Sequence, residues 1–513
     1  MATMEVELKL ALPPDSAAAL CRHPLLAGKK VQRDRVFNLY LDTPDFDLWR
    51  ARMALRLRKK GETWLQTLKT AGSALGGLHQ RGEWEYVQHA PEVDLARFRE
   101  SPLAELPCSS RLHLLLKPAF VADFERIAWQ IESAPGMRVE VALDRGVIEG
   151  GGRKSAICEV EIEVLTGSAD GAYDVALALL QDLSLRPLAA SKAERGYDLL
   201  LSNPHEARKA QPLILFPGWS PQEAFKAIAA HCLEHFEANV EGALASNDPE
   251  FVHQLRVALR RLRSALRIFR PADLERLDEE LKWLAGAMGA TREWDVFVTA
   301  GLPELADENA ALRRRLLVAA KRHRKAARDA ARESLASARC ARALLELGRW
   351  LCGTEALPPT SRTATQPTLP GLHDFAARTI RRRHKRLLRD AAGIATLDAA
   401  ARHRVRIDAK RLRYAVDFFQ SLYRKERTAP YLEILTTIQD ALGEMNDAVT
   451  AERLMAALGV PQAVRLYVQG WHVARAQARL AELEKCFAAL GRCRRFWRMK
   501  PARVDRDSVA NDV

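Results

Sequence analysis

Glu5-Val6-Glu7-Leu8-Lys9 opens the chain with charged and apolar residues in strict alternation. A period of two belongs to a β-strand, whose successive side chains point to opposite faces. Glu5, Glu7 and Lys9 therefore share one face, and Val6 and Leu8 the other. Alone, such a strand reads as a solvated sheet edge. The same device recurs as far as about Ser202. Residues 33–41 form a predicted strand ended by the turn signal Asp42-Thr43-Pro44-Asp45. Over 53–59, Leu55 and Leu57 oppose Arg56 and Arg58; over 63–69, Leu65, Thr67 and Lys69 share a face. After a predicted loop at 72–77, Arg81, Glu83 and Glu85 alternate with Gly82, Trp84 and Tyr86. Further strands are predicted at 111–116, at 124–131 with Arg126, and at 138–143 with Glu140, the last closed by a turn at Asp144-Arg145-Gly146. Over 157–165, Glu159, Glu161 and Glu163 oppose Val160, Ile162 and Val164. A short helix after Pro13-Pro14-Asp15 and another at 173–183 complete this part, which ends on Ser191-Lys192.

An ordinary sandwich turns its polar face to water. Here the polar faces combine both signs on strand after strand, and an antiparallel sheet closed into a barrel can line a wet lumen with them. Lysines and arginines in that lumen would grip phosphate oxygens. Clustered carboxylates would hold Mg²⁺ or Mn²⁺, which take oxygen ligands and bridge to phosphates. Both together are what metal-assisted phosphoanhydride hydrolysis requires. Some residues stay open. Arg33 and Arg35 share a face that the sequence assigns to neither lumen nor surface. Glu140 and Asp144 read equally as metal ligands or as turn-associated surface carboxylates. Glu159 sits at a strand end and is left out of the metal set, and His79 and His89 are read as non-catalytic.

Glu5-x-Glu7-x-Lys9, Tyr40-Leu41-Asp42-Thr43-Pro44, Arg56-x-Arg58, Lys69, Arg81-x-Glu83-x-Glu85, Glu159-x-Glu161-x-Glu163 and Ser191-Lys192 together resemble the CYTH family over residues 1–202. These are triphosphate tunnel metalloenzymes, eight-stranded antiparallel barrels that hydrolyse or cyclise triphosphates. The resemblance implies that Lys9, Arg56, Arg58, Lys69, Arg126 and Lys192 bind the triphosphate. It implies that Glu5, Glu7, Glu161 and Glu163 hold metal, assisted by Glu83 and Glu85. In the family's two-metal scheme one ion bridges the phosphates and the other activates the attacking water, so no protein nucleophile is needed.

The bulk properties point the same way. At 513 residues, several domains are expected. A net charge of +14 implies a polyanionic partner: nucleic acid, anionic membrane or phosphate polymer. The eight cysteines form no C-x-x-C pair, so a zinc site or disulfide framework has little support. With no signal pattern and no apolar run of transmembrane length, a soluble cytoplasmic protein is expected, with polyphosphate granules as a further location.

Residues 203–221 carry four prolines and read as a linker. From Gln222 the period becomes helical, and a duplication is visible. His253-Gln-Leu-Arg256-Val-Ala-Leu-Arg260-Arg261-Leu-Arg263 is matched, 150 residues on, by His403-Arg-Val-Arg406-Ile-Asp-Ala-Lys410-Arg411-Leu-Arg413. Each copy is followed by a predicted turn, at 288–293 and 442–447. A Thr/Pro-rich loop at 358–371 separates the halves, and the duplication predicts two pseudo-symmetric four-helix bundles. The basic residues at 0, +3, +7 and +10 of each copy fall on one helix face, which is reasonable if a polyanion lies along it. Two further basic runs, Lys321-Arg322-His323-Arg324 and Arg381-Arg382-Arg383-His384-Lys385, match no motif; they extend that path or are simply solvated. The two stripes resemble the CHAD family of helical domains over 222–497. That implies binding of inorganic polyphosphate by His253, Arg256, Arg260, Arg263, His403, Arg406, Lys410 and Arg413. The tail, 498–513, is expected to be disordered.

The leading expectation is a hydrolase of inorganic triphosphate with a polyphosphate-binding helical domain. The rivals are a non-catalytic polyphosphate-binding protein and an enzyme acting on an organic triphosphate such as thiamine triphosphate or ATP. A specific nucleic-acid partner is not expected, because neither interleaved aromatics nor a groove-reading motif is present.

Overall fold

The structure, a computed structural model, describes residues 3–70, 72–201, 206–301, 310–353 and 371–498. Ten strands make one antiparallel sheet: β1 (Thr3–Ala11), β2 (Val31–Asp42), β3 (Met53–Lys60), β4 (Thr63–Thr70), β5 (Ser73–Leu75), β6 (Leu78–Gln88), β7 (Lys117–Ala134), β8 (Met137–Gly150), β9 (Arg153–Thr166) and β10 (Arg186–Pro187). Their order is β10-β1-β9-β8-β7-β2-β3-β4-β6-β5, and a further β1–β6 pairing closes the sheet. The closed ring has eight strands, with β5 and β10 as short additions.

Closure puts the alternating faces to use. The apolar residues of β1, β7, β8 and β9, such as Leu8, Leu10, Ile127, Val141, Val160 and Ile162, point out of the barrel and pack on α4 (Asp170–Leu179) through Tyr173, Ala176 and Leu179. Those of β3 and β4, including Leu55, Leu57 and Leu68, are covered by Phe98, Leu103 and Leu112. The charged faces are thereby left inside. Three short helices precede α4: α1 (Ala17–Cys21), α2 (Asp47–Arg50) and α3 (Leu112–Leu115). After β10, α5 (Lys192–Leu201) packs on Tyr40 and Phe120 through its Tyr197. Asp42 ties this region together, its carboxylate accepting from Tyr197 Oη (2.7 Å) and from the backbone N–H groups of Leu48 and Trp49 (3.0 Å each) at the start of α2. The Tyr40–Pro44 motif is thus a scaffold for α2 and α5.

Three expectations for this half are corrected. Residues 111–115 are helical, not a strand: the apolar run is too short to define a period, and Leu112 is buried in the outer core with Leu116 packed against it. Asp144-Arg145-Gly146 lies inside β8, not in a turn. Gly146 serves close strand approach instead, because a Cβ there would stand 2.5 Å from Phe124. The 72–77 loop contains β5, a three-residue strand paired with β6.

The helical half contains α6 (Pro221–Ala245), α7 (Pro249–Phe269), α8 (Glu275–Val296), α9 (Ala310–Ala336), α10 (Ala338–Cys352), α11 (Leu372–Asp390), α12 (Ala399–Phe419), α13 (Lys425–Ala457) and α14 (Gln462–Arg492). The 150-residue offset seen in the motifs also relates the elements: α7 and α12 begin at 249 and 399, α8 and α13 at 275 and 425. The predicted turns at 288–293 and 442–447 are wrong, since both stretches lie within α8 and α13. Gly289 has a packing role: a Cβ there would lie 2.9 Å from Arg256 Nη1. Residues 206–220 carry no helix or strand. Most of the Thr/Pro-rich loop and all but the first residue of the tail lie outside the described residues.

The chain forms two compact units, Met1–Arg208 with Leu233–Phe251 and Glu333–Ala356, and Lys209–Cys232 with Val252–Arg332 and Leu357–Val513. Among the described residues no helix is long and apolar enough to cross a membrane.

Candidate functional site

Register builds the tunnel. On the β1–β9 ladder Glu7 faces Glu163, and Lys9 faces Glu161. On β1–β6, Glu5 faces Arg81; on β4–β6, Lys69 faces Glu83 and Thr67 faces Glu85. Tyr40 faces Arg56 across β2–β3, and Arg126 faces Asp144 across β7–β8. Because each strand contributes every second residue, these side chains converge on one cavity of about 160 Å³. It is lined by seven cations (Lys9, Arg56, Arg58, Lys69, Arg81, Arg126, Lys192) and six carboxylates (Glu5, Glu7, Glu83, Glu85, Glu161, Glu163). All twelve tunnel residues predicted from sequence are among them.

Most of these charges neutralise one another. Lys69 Nζ donates to both oxygens of Glu5 at 2.6 Å. Arg81 bonds Glu5 and Glu7, and Lys9 bonds Glu7 and Glu161. Arg126 donates to Asp144 at 2.7 and 2.6 Å and also to Glu161. Burial alone would push the carboxyls of Glu5, Glu7 and Glu161 up, but the lysines and arginines outweigh it and hold all three below the usual range.

Two places are not balanced, and they are of opposite sign. Burial, then the neighbouring Arg56 and Arg126, pushes the Arg58 guanidinium down to about 10. Beside it, Arg56 Nε and Nη2 are buried without a hydrogen-bond acceptor, and Glu83 stands 3.7 Å away. Conversely, burial and then the carboxylates of Glu5, Glu7 and Glu140 push Glu163 up to about 7. Positive charge is thus disfavoured at Arg58, although Tyr40, Glu83 and Glu85 hold Arg56 above its ordinary value against burial, and negative charge is disfavoured at Glu163.

Three tunnel residues were missed or left open in the sequence. Arg81 belongs to the Arg81-x-Glu83-x-Glu85 motif, whose resemblance implies no role for it. Asp144 and Glu159 are fully buried, and with Glu161 they bring carboxylate oxygens within 4.8 Å of one another. Lys192 Nζ, on α5, donates to Asp144 (2.6 Å), Glu159 (2.5 Å) and Glu161 (3.0 Å), and Arg195 donates to Glu159 at 2.9 Å. Strand parity was the available signal, because 159 matches 161 and 163, and 144 matches 140. The false turn at 144–146 and the strand-end position of Glu159 hid it. Neither Arg33 nor Arg35 enters the lumen; both are exposed, and Arg35 pairs with Asp123 at 2.6 Å. His79 is buried with Nε2 3.0 Å from the Leu188 carbonyl.

In the second unit the two stripes lie on α7 and α12 as predicted. Arg256, Arg260, Arg263, Arg406, Lys410 and Arg413 are half-buried, as is His253, while His403 is exposed. Burial, then Arg260 and Arg292, pushes Arg256 down to about 10. Arg263 is engaged by Asp278 (2.7 Å) and Arg413 by Gln439 (2.9 Å). The α7 stripe continues through Arg267 and Arg270 into a cavity of about 650 Å³. Arg382, Arg383, Arg386 and Arg411 also line it, against Glu275, Asp278 and Asp408. Of the unplaced basic runs, the second thus contributes to this cavity through Arg382 and Arg383. In the first, Arg324 is tied to Asp295 at 2.6 Å, and Lys321 and Arg322 are solvated.

Comparison with known proteins agrees with this division. A curated inorganic triphosphatase from Haemophilus influenzae is 34% identical over 197 residues, 38% of this chain and 54% of the relative. The chain thus spans about half the length of the curated relative it matches. The crystal structure of the CHAD domain from the plant Ricinus communis is 35% identical with a TM-score of 0.50, covering 58% of this chain and 99% of that one. A Hippeastrum protein whose triphosphatase activity is described as dominant is 18% identical with a TM-score of 0.31, covering 38% of this chain and 96% of that one. The family models match directly, so the chain carries a CYTH domain over residues 3–197 and a CHAD domain over residues 227–456.

Proposed function

We propose that the barrel hydrolyses inorganic triphosphate to pyrophosphate and phosphate with Mg²⁺ or Mn²⁺, and that the helical domain binds inorganic polyphosphate. The observation that carries the first part is the pair of opposite imbalances in one lumen. An anion is favoured beside Arg56 and Arg58, and a cation is favoured beside Glu163. A triphosphate with its divalent ion supplies both. The relative named an inorganic triphosphatase supports the substrate.

In this reading Lys9, Arg56, Arg58, Lys69, Arg126 and Lys192 hold the phosphate oxygens, with Arg81 beside them. Glu5, Glu7, Glu161 and Glu163 hold the metal, and Glu83 and Glu85 assist. Oxygen donors alone suit a hard divalent cation. When bound, that ion neutralises phosphate charge and acidifies a water. A water attacks the terminal phosphorus as the bridging P–O bond breaks and pyrophosphate leaves. The guanidinium groups of Arg56, Arg58 and Arg126 offset the charge that collects on the transferring and leaving oxygens.

For the helical domain, the α7 and α12 stripes and the arginine cavity beyond them support a phosphate polymer, and His253, Arg256, Arg260, Arg263, His403, Arg406, Lys410 and Arg413 line the path. The tunnel domain would occupy 1–202, a linker 203–221 and the polymer-binding domain 222–497. A reducing cytoplasmic location, on or near polyphosphate granules, accords with eight cysteines of which none forms a disulfide.

Phosphate release from tripolyphosphate, ATP, thiamine triphosphate and long polyphosphate, with and without Mg²⁺, tests the catalytic part. Metal-dependent release, fastest from tripolyphosphate, is expected. Faster turnover of an organic triphosphate would overturn the substrate, and no release from any of them would leave a binding protein. Polyphosphate binding by the full chain should weaken steeply with salt. Equal affinity for DNA of matched charge would overturn a dedicated polyphosphate path.

A further inference from the structure

We infer that Glu237, on α6 and far outside the barrel sequence, is a positioning residue for the tunnel. Its carboxylate oxygen Oε2 accepts from the backbone N–H of Gly76 at 3.1 Å, and the side chain is buried. Gly76 and Gly77 form the two-residue hairpin between β5 and β6, with φ of +61° and +79°. Such turns demand left-handed residues, hence glycine at both positions. Three further contacts fix this hairpin. Tyr173 Oη donates to the Leu75 carbonyl at 3.0 Å. A Cβ on Gly76 would stand 2.9 Å from the Gly348 Cα on α10, so backbone lies directly against backbone. Gly77 O accepts from the backbone N–H of Lys9 at 2.8 Å.

The hairpin feeds both sides of the lumen. Downstream, β6 carries Arg81, Glu83 and Glu85. Across the closing ladder, β1 carries Glu5, Glu7 and Lys9, with Glu7 opposite His79 and Glu5 opposite Arg81. A one-residue slip here would turn every β6 charge out of the lumen. The β1–β6 pairing is the one that shuts the barrel, and its first turn is held by a carboxyl 161 residues away in sequence. A buried carboxyl is costly to keep, and the partners it has here are backbone N–H groups of the hairpin, Gly76 and Gly77. Burial pushes it up to about 8, so glutamine is a close mimic of its protonated form at neutral pH.

The test uses the full chain and three proteins: wild type, Glu237→Leu and Glu237→Gln. Hydrogen exchange is read at the amides of residues 73–81 and, as a control, at β7 and β8. Exchange over 73–81 should quicken at least tenfold in Glu237→Leu with β7 and β8 unchanged, and Glu237→Gln should restore protection. The activity readout rests on the triphosphatase reading. There kcat for tripolyphosphate should fall at least tenfold in Glu237→Leu, KM should change less, and Glu237→Gln should recover kcat. Unchanged exchange in Glu237→Leu, or uniform loss of protection, would overturn the inference, as would failure of glutamine to rescue. An inactive wild type would overturn the triphosphatase reading alone, because the exchange readout does not depend on turnover.

Discussion

Lys192→Met isolates how the tunnel is held together. The ammonium is buried and contacts Asp144, Glu159 and Glu161, whose oxygens lie within 4.8 Å of one another. Burial alone would push Lys192 down, yet those three carboxylates hold it above its ordinary value. At an effective dielectric near 20, each carboxylate pair at that spacing repels by about 3.5 kcal/mol once the cation is gone. Lys9, Arg126 and Arg195 remain as counter-charges. The expected loss is therefore about 3 kcal/mol, the low end for breaking a buried ionic network. That corresponds to a fall in Tm of roughly 6–12 °C for a domain of this size. Methionine nearly matches the volume, so the cavity contribution is small. The loss should be complete at pH 8 and shrink toward pH 4.5, because the abandoned carboxylates regain neutrality by taking up protons. Millimolar Mn²⁺ should raise the variant's midpoint more than the wild type's, by mass action at a site the cation no longer blocks. Thermal unfolding at pH 8, 6 and 4.5 is the assay. A loss under about 1 kcal/mol at pH 8, or one equal at pH 8 and 4.5, would refute the reasoning.

Glu5→Gln and Glu7→Gln should each abolish phosphate release from tripolyphosphate while calorimetry still detects its binding; full activity in both would remove the metal role. Glu163→Gln should stabilise the metal-free protein at pH 8 by about 1–3 kcal/mol and change nothing at pH 4. The sign follows from a carboxyl raised from 4.5 to about 7, which costs stability as pH rises between those values. Unfolding midpoints with chelator present would check it. His79 and His384 are both pushed from 6.5 down to about 4, chiefly by burial. Each is neutral when folded but charges when unfolded, so stability should fall as pH drops from 6.5 toward 4, by at most about 3 kcal/mol per residue. A His79→Asn variant with the same slope over that window as wild type would contradict this.

The tunnel was largely legible because its chemistry is carried on strands, where parity alone says which side chains share a face. Glu5, Glu7, Lys9, Arg56, Arg58, Lys69, Glu83, Glu85, Arg126, Glu161 and Glu163 all follow from it. Lys192 sits on a helix and came from the motif. Asp144 and Glu159 were hidden by local signals that pointed elsewhere. Asp-Arg-Gly is good turn chemistry, but the close packing of Gly146 on Phe124 keeps β8 extended through it. The helical stripes were legible for the matching reason, a period of 3.6, whereas the glycines at 289 and 443 look locally like glycines that end a helix; Gly289 instead admits the Arg256 guanidinium, and Gly443 has open space beside it.

Sequence alone is enough to say which residues share a face, that the helical half is duplicated at 150 residues, and that both halves gather cations on one face. Those are short-range properties, set by the pitch of a strand or a helix. That the charged faces point inward follows from the fold, because inside and outside exist only after β1 has paired with β6. The fold alone decided which carboxylates are neutralised and which, like Glu163, are left among their own kind, because a pKa depends on neighbours brought from other strands. And it alone set the hairpin at Gly76 against a carboxyl from α6, a contact that no local pattern encodes.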